Sequence, residues 1–489
     1  MYLLGIDLGT TGCKSILFSE KGEIVSEAYI EYALIKTSEN YIEQDASEWW
    51  KLVKKAVKEV VEKSTVNPKE IAALSISSQG ISFVPVDEWG QALTNAISWL
   101  DTRAEKQAIF LAQTLGEEEL YKRTGKRLRA AYTLPKILWI KENMPLIYNN
   151  THKFLMGLDF ITYKLTGKYV TDYSMASGTM AFNIHDKKWD DEILKEVGVD
   201  VNLLPEVQPL GCPVGFILAD VAKAVGLSES TMVVLGAQDQ KCAAMGSGIN
   251  KGICTISLGT ATAISTISEQ PILDKEMRIP CFTLDKEYWI VEAVIGTSGV
   301  SLKWMKETFF TGNTYSELDR MVEDSSIGAN NIFFYPHLQG ATSPYWNSEA
   351  RGFIYGMSLS TTREDMIRSL YEGIAFQIRA NLEVMEKMGA EINEIRVFGG
   401  GSKSDIWCKI IADVTGKIVH VLYTSEIANL GAAIIAGVGS GIYKNFDAAI
   451  SEIDLVKKSF KPITTNKECF DQFYKKYIEI QNRTLKECL

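Results

Sequence analysis

Residues 6–11 read Ile-Asp-Leu-Gly-Thr-Thr, and residues 256–261 read Ile-Ser-Leu-Gly-Thr-Ala. In each copy an apolar strand ends in a tight turn that leads into a second strand. A match of six residues is weak evidence of a repeat by itself. New strands also begin in both halves of the chain, however, so the sequence predicts two like-folded domains. Their equivalent turns would face each other across a cleft, which is a common place for a ligand.

The pattern around both copies is that of an α/β fold. In the first half we predict strands at 2–8, 13–19, 23–32, 71–76 and 231–236. An amphipathic helix is predicted at 49–63. In the second half we predict strands at 253–258, 262–267, 289–294, 394–398 and 418–422, and helices at 404–415 and 427–438. A short helix at 240–245 precedes Gly246-Ser247-Gly248, which interrupts the pattern. We therefore predict domains over residues 1–247 and 248–489.

Helix ends are also readable from the sequence. A long helix is predicted from Thr361 to Met388, with Thr361 and Glu364 as a capping box and Gly389 as its stop. Ser404 is expected to begin the following helix, and Gly416 to end it.

Composition narrows the class of protein. The 489 residues are 46% apolar and 23% charged, which is typical of a soluble globular chain with a large core. The net charge of −10 argues against nucleic acid as a partner, because phosphate backbones require basic patches. No signal peptide or membrane-spanning stretch is evident, so we expect a cytoplasmic protein with no membrane contact. The eight cysteines form no C-x-x-C pair and are expected to be reduced thiols, and a zinc site is not expected.

The two Gly-Thr turns suggest phosphate binding. Such a turn offers hydroxyl donors and exposed backbone N–H groups, which suit phosphate oxygens. Asp7 directly before the first turn could hold Mg²⁺. Ser257 takes its place in the second turn. The alternative is two ordinary β-hairpins, but the presence of both turns favours phosphate.

Two further segments bear on catalysis. Asp239 follows a buried strand at the domain junction and is the candidate base for a phosphoryl acceptor. Its alternative role is that of a helix N-cap. Residues 398–404 (Phe-Gly-Gly-Gly-Ser-Lys-Ser) join a strand to a helix, and three glycines favour a binding loop over an ordinary connection. The chain lacks the P-loop motif and the dinucleotide-binding glycine motif.

Taken in order, these segments resemble those of the FGGY carbohydrate kinases over residues 1–480. The motifs are Gly5–Thr11, Tyr41–Asp45 with Trp49-Trp50, Trp99–Arg103, Leu165–Gly167, Thr171–Ser177, Gly236–Gln240, Ser257–Thr260 and Gly399–Ser404. The family includes xylulokinases, gluconokinases and glycerol kinases, and the segment at 41–50 is typical of the xylulokinase-like branch.

The resemblance implies a fold and a set of site residues. It implies two ribonuclease-H-like domains of the actin-like ATPase type, with ATP and a sugar in the cleft between them. Asp239 would be the catalytic base, and Asp7 and Asp239 would hold Mg²⁺. The residues near ATP would be Thr10, Thr11, Lys14, Gly259, Thr260, Gly296, Gly400, Gly401 and Ser404. The sugar would contact Gln79, Trp99, Asp101, Asp239 and Gln240. Trp99 could instead be a core aromatic, and Arg103 could pair with an acid.

The sequence leaves the sugar open. Residues 77–81 (Ser-Ser-Gln-Gly-Ile) replace the Gln-Met-His-Gly usual in xylulokinases, and the Arg-Glu pair of glycerol kinases is absent, so glycerol is not expected. Residues 339–344 also lack the family's frequent Gly-Glu-Arg. A pentulose such as xylulose is the first expectation. Another ketose, an alditol, an aldonate such as gluconate, or a non-catalytic sugar sensor or filament protein on the same fold remain open. The family suggests a homodimer.

Overall fold

A computed structural model describes residues 1–487 of the chain. It contains two large mixed sheets, one in each half. The six strands of the N-terminal sheet are, in spatial order, Pro213–Phe216, Met232–Gln238, Ile71–Ser78, Tyr2–Leu8, Gly12–Ser19 and Ile24–Glu31. The seven strands of the C-terminal sheet are, in spatial order, Cys281–Thr283, Trp289–Ile295, Thr262–Ser268, Gly252–Leu258, Ile392–Phe398, Ile418–Leu422 and Val456–Phe460.

The two sheets repeat the same strand neighbours around their first strands. Tyr2–Leu8 pairs antiparallel with the next strand of the chain and parallel with Ile71–Ser78. Gly252–Leu258 likewise pairs antiparallel with the next strand and parallel with Ile392–Phe398. The turns at 9–11 and 259–261 close the two hairpins. The prediction of two like-folded halves with equivalent turns is therefore confirmed.

Smaller sheets extend both halves. A five-stranded sheet over the N-terminal half consists of Ile35–Lys36, Ile42–Gln44, Ala96–Ile97, Phe83–Val86 and Lys153–Met156. The remaining pairs are Val170–Asp172 with Glu206–Gln208, Phe182–Asn183 with Lys188–Trp189, and Phe333–Tyr335 with Phe353–Tyr355.

Helices pack around the sheets. Those of the first half are Ala46–Ser64, Glu105–Leu115, Glu117–Thr124, Thr133–Asn143, Pro145–Asn150, Gly157–Thr166, Tyr173–Ser177, Asp191–Glu196, Ala219–Val225 and Asp239–Gly246. Those of the second half are Gly299–Phe309, Tyr315–Asp324, Arg363–Lys387, Asp405–Thr415, Ile427–Gly439, Phe446–Glu452 and Thr464–Glu487.

Local sequence accounts for several helix ends. The first helix begins after Asp45, whose side chain accepts a hydrogen bond from Ser47 N, and it buries the apolar face predicted for 49–63. The predicted capping box of the long helix was wrong by one residue. Thr362 Oγ1 accepts from Asp365 N at 3.2 Å, and Asp365 Oδ2 accepts from Thr362 N at 3.1 Å. Either threonine could have filled this role, and Asp365 of the observed box also accepts a hydrogen bond from Ser325 Oγ at 2.7 Å.

Two helices cross where the halves meet. We call Asp239–Gly246 the junction helix and Ile427–Gly439 the crossing helix. Asn429 Nδ2 on the crossing helix donates to Gly5 O and Lys14 O of the N-terminal sheet, both at 3.0 Å. A helix from late in the chain thus packs against the first sheet, and the predicted boundary at 247 stays a prediction.

Two other observations concern the cysteines and the hydropathy of the helices. The seven cysteines within residues 1–487 are free thiols, and five of them are buried, whereas Cys488 lies outside the described residues. No helix in the described part of the chain is long and apolar enough to cross a membrane.

Candidate active site

A cleft of about 320 Å³ lies between the two halves, and its lining comes from both. The N-terminal half contributes the first turn through Thr10 and the start of the junction helix through Asp239 and Gln240. The C-terminal half contributes Ser257 from the strand before the second turn and Ala261 from the turn itself. The topology therefore brings the two repeated turns to one site, as the sequence predicted.

Asp239 is held by its immediate neighbours. It is the first residue of the junction helix, and Gln238 occupies the N-cap position, so the alternative role of Asp239 as an N-cap is wrong. Gln240 N donates to Asp239 Oδ1 at 2.7 Å, and Gln238 Nε2 donates to the same oxygen. Within residues 1–487, Asp239 Oδ2 receives no hydrogen bond and is available to a ligand.

Asp7 lies close to Asp239 and interacts with it electrostatically. Ser77 Oγ donates to Asp7 Oδ1 at 2.6 Å. Desolvation, together with the negative charge of Asp7, raises the pKa of Asp239 to about 7. Desolvation also raises the pKa of Asp7 to about 6. Two partly buried carboxylates that repel each other form a favourable position for a cation.

The donor set fits Mg²⁺. Magnesium is usually bound by one or two carboxylates, with substrate phosphates and water completing its shell. The described residues contain no group of three or more His, Cys, Asp or Glu side chains that could hold a metal by themselves. Asp7 and Asp239 could therefore hold Mg²⁺ together with a phosphorylated ligand.

A helix supports the second turn. Gly299 N donates to Gly259 O at 3.0 Å, and Val300 N donates to Thr260 O at 3.1 Å. Close contact requires glycine here, because a Cβ on Gly299 would lie 2.3 Å from Gly259 O. The start of helix Gly299–Phe309 thus holds the carbonyl groups of the turn, and its positive dipole end favours an anion nearby. The sequence analysis missed this support, although Thr-Ser-Gly after a strand could have indicated it.

The glycine loop at 399–401 packs beside the second turn. Gly399 has φ of 90°, which favours glycine, and a Cβ on Gly401 would lie 2.5 Å from Leu258 Cγ. A Cβ on Gly400 would meet nothing within 4 Å, so this face of the loop is open to a ligand. Ser404 Oγ accepts from Trp407 N at 3.2 Å, which confirms Ser404 as the helix cap.

Other residues expected near ATP have protein partners. Ser404 Oγ donates to Asp319 Oδ1 at 2.8 Å, and Gly296 N donates to Thr342 Oγ1 at 3.0 Å. Lys14 Nζ lies 2.6 Å from Glu426 Oε2, beside the start of the crossing helix. Thr11 is exposed at the tip of the first turn.

The residues expected to bind sugar divide into two groups. Trp99 is 41% exposed, lines the cleft, and donates from Nε1 to Thr10 Oγ1 at 2.9 Å, so its alternative as a core aromatic is wrong. Gln240 also lines the cleft. Gln79 and Asp101 are buried and are not among the residues that line the cleft, so direct contact between them and the sugar stays a prediction.

Gln79 and Asp101 both belong to buried hydrogen-bond networks. Gln79 Nε2 donates to Gln44 Oε1 at 2.9 Å. Asp101 Oδ2 accepts from Ile42 N and from Arg103 Nη2, both at 2.7 Å. The prediction that Arg103 pairs with an acid is confirmed.

Several lining residues were missed by sequence reasoning. They are Tyr132, Ser174, Gln238, Lys241, Phe282 and Glu292. Gln238 and Lys241 flank Asp239, and this proximity could have indicated them. Gln238 Oε1 is buried with no hydrogen-bond partner in residues 1–487, so it can accept a donor from a ligand.

Comparisons with known proteins identify the family. Residues 2–246 match the N-terminal domain of the FGGY family of carbohydrate kinases, and residues 254–440 match its C-terminal domain. The chain is 32% identical over 485 residues to xylulose kinase of Bacillus subtilis, covering 99% of this chain and 97% of that protein. It also resembles solved structures of gluconate kinase and xylulose kinase from Lactobacillus acidophilus. For these the TM-scores are 0.94 and 0.93, each with 26% identity over 99% of this chain and 98% of the other. The chain therefore belongs to the FGGY family of carbohydrate kinases, enzymes that transfer phosphate to an alcohol group of a sugar.

Proposed function

We propose that this enzyme phosphorylates a ketose from ATP–Mg²⁺, with a pentulose such as xylulose as the first candidate. The observation that carries this proposal is the position of Asp239 in a cleft that residues of both repeated turns line, with Asp7 near enough to act on it electrostatically. The first turn is at Thr10 and the second at Thr260. Similarity to xylulose kinase over nearly the whole chain supports the choice of sugar.

Different residues of the cleft bind ATP, bind the sugar and accept the proton during phosphoryl transfer. The two turns and the glycine loop at 399–401 bind ATP, and Trp99, Gln238 and Gln240 orient the sugar. Asp239 Oδ2 accepts the proton of the attacking hydroxyl, as a general base does in this reaction class. Mg²⁺ held by Asp7 and Asp239 would neutralise charge on the phosphates. Closure of the halves would exclude water and limit wasteful hydrolysis of ATP.

The test is ADP release with ATP–Mg²⁺ across ketoses, alditols and aldonates. Strong turnover with one ketose supports the proposal. Turnover with an aldonate or alditol alone contradicts the choice of ketose, and binding without turnover favours a sugar sensor.

The pH dependence of kcat/KM for the sugar should follow the protonation of Asp239. Because the pKa of Asp239 is raised to about 7, its carboxyl is protonated at lower pH and cannot accept the sugar proton. We expect kcat/KM for the sugar to fall about tenfold per pH unit on the acid side of an inflection. Bound Mg²⁺ favours the carboxylate, so raising its concentration should move the inflection to lower pH. A flat profile from pH 5 to pH 9 would contradict the assignment.

Trp99→Phe should separate stacking from hydrogen bonding. The variant keeps an aromatic ring at the cleft but removes the bond from Trp99 Nε1 to Thr10 Oγ1. We expect a loss of about threefold to tenfold in kcat/KM, the effect of one ordinary hydrogen bond. Trp89→Phe is the matched control, because Trp89 is 69% exposed and lies outside the cleft lining. Equal effects of the two changes would argue against a role for Trp99.

A further inference from the structure

An ion pair that joins the two halves of the chain lies in the wall of the cleft. Lys241 belongs to the junction helix, and Glu292 belongs to the C-terminal strand Trp289–Ile295. Lys241 Nζ is 3.1 Å from Glu292 Oε1, and the two side chains are only 1% and 10% exposed. Both residues line the cleft. A sugar bound there would meet this pair.

Each partner is fixed by a further contact. Lys241 Nζ lies 3.7 Å from the centroid of the Phe282 ring. Ser265 Oγ donates to Glu292 Oε2 at 3.3 Å. Removing two charges from water is costly even when they are paired, and hydrophobic residues of similar volume are often at least as stable. A gain in folding stability therefore does not account for the Lys241–Glu292 pair. Its position in the cleft indicates a role in ligand binding instead.

The charges of the cleft wall favour a neutral ligand. Among the lining residues in the described part of the chain, Lys241 is the only lysine or arginine, and the acids are Asp239 and Glu292. Glu292 already forms an ion pair with Lys241, the one cationic side chain of this lining. Asp239 must be ionised to act as a base. A sugar carboxylate would therefore face a like charge, with no free lysine or arginine of the described lining as its partner, which is unfavourable in a desolvated site.

We propose that the Lys241–Glu292 pair makes this cleft select neutral sugars over sugar acids such as aldonates. This inference rests on the proposed function and names two residues that set its specificity. Glu292 neutralises the lysine that a carboxylate would otherwise use. A neutral ketose keeps access to uncharged groups of the cleft, among them the buried and unpartnered Gln238 Oε1.

The test compares kcat/KM for D-xylulose and D-gluconate in four proteins. Wild type should prefer the neutral sugar. Glu292→Gln frees the lysine and should shift the ratio toward gluconate by about tenfold. Lys241→Met leaves Glu292 unpaired and should shift the ratio the other way. The double variant Lys241→Met/Glu292→Gln should show neither shift. Equal losses for both sugars in the single variants, or a wild-type preference for gluconate, would overturn the inference.

Calorimetric binding of the same sugars separates this inference from the proposed function. If wild type releases no ADP with any sugar, the kinase proposal fails, yet binding still measures charge selection. Higher affinity of Glu292→Gln for gluconate relative to xylulose supports the inference, and an unchanged affinity ratio contradicts it. Lys241→Met gives an independent reading with the opposite expected sign if the first variant does not fold.

Discussion

Replacing Asp239 with asparagine is expected to lower kcat by about 10²-fold to 10⁴-fold, the usual contribution of a general base. The amide keeps the size of the side chain and can still accept from Gln240 N. It cannot take a proton from the sugar hydroxyl at Oδ2. Steady-state ADP release measures the loss, and nucleotide binding measured separately should remain. Near-normal turnover would remove Asp239 as the base.

The same variant should be more stable than wild type at neutral pH in the absence of ligands. The folded-state pKa of Asp239 is raised from 3.8 to about 7, so the folded chain binds this proton more tightly than the unfolded chain does. Stability from this group is present at low pH and is lost as pH rises through about 7. Asparagine avoids that loss, and thermal unfolding at pH 8 should show a higher midpoint.

Asp191→Asn is the matched control for both measurements. Asp191 is also the first residue of a helix, Asp191–Glu196, but it is exposed and lies outside the cleft lining. If the charge of Asp239 mattered only because it lies at the N-terminus of a helix, the Asp239→Asn and Asp191→Asn variants would behave alike. We expect the control to keep full activity and to gain no stability.

Gly431→Ala should have the largest effect on the fold. Gly431 lies where the crossing helix meets the junction helix, and an added Cβ would lie 1.8 Å from Cys242 O and 2.9 Å from Gly246 N. Both contacts are with backbone, so neither neighbour can move aside as a flexible side chain could. We expect a loss of about 3 kcal/mol in unfolding free energy, at the upper end for overpacking. Chemical denaturation followed by fluorescence measures it.

Gly400→Ala is the control for the added methyl group. A Cβ at that position meets nothing within 4 Å, so stability should change little. Because Gly400 belongs to the glycine loop that we propose binds ATP, the KM of the Gly400→Ala variant for ATP should rise while its fold stays intact. Equal destabilisation by the two changes would show that close helix packing is not what requires glycine at 431.

Local structure was largely readable because it depends on neighbouring residues. The strand predicted at 418–422 is Ile418–Leu422, and the helix expected at 404–415 begins directly after its Ser404 cap. Periodic burial and capping hydrogen bonds involve residues a few positions apart. The exception is the long helix, where two adjacent threonines offered equivalent caps and the observed cap is Thr362.

The sequence by itself indicated the two like-folded halves, the paired turns and the candidate base, because short contiguous motifs mark the turns and the base, and new strands begin in each half. Only the tertiary structure decided which polar side chains face the cleft. Gln79 and Asp101 are buried, where they form hydrogen bonds with Gln44 and Arg103. Glu292 meets Lys241 only when the two halves come together. Such pairings join residues far apart in the chain, and no local pattern encodes them.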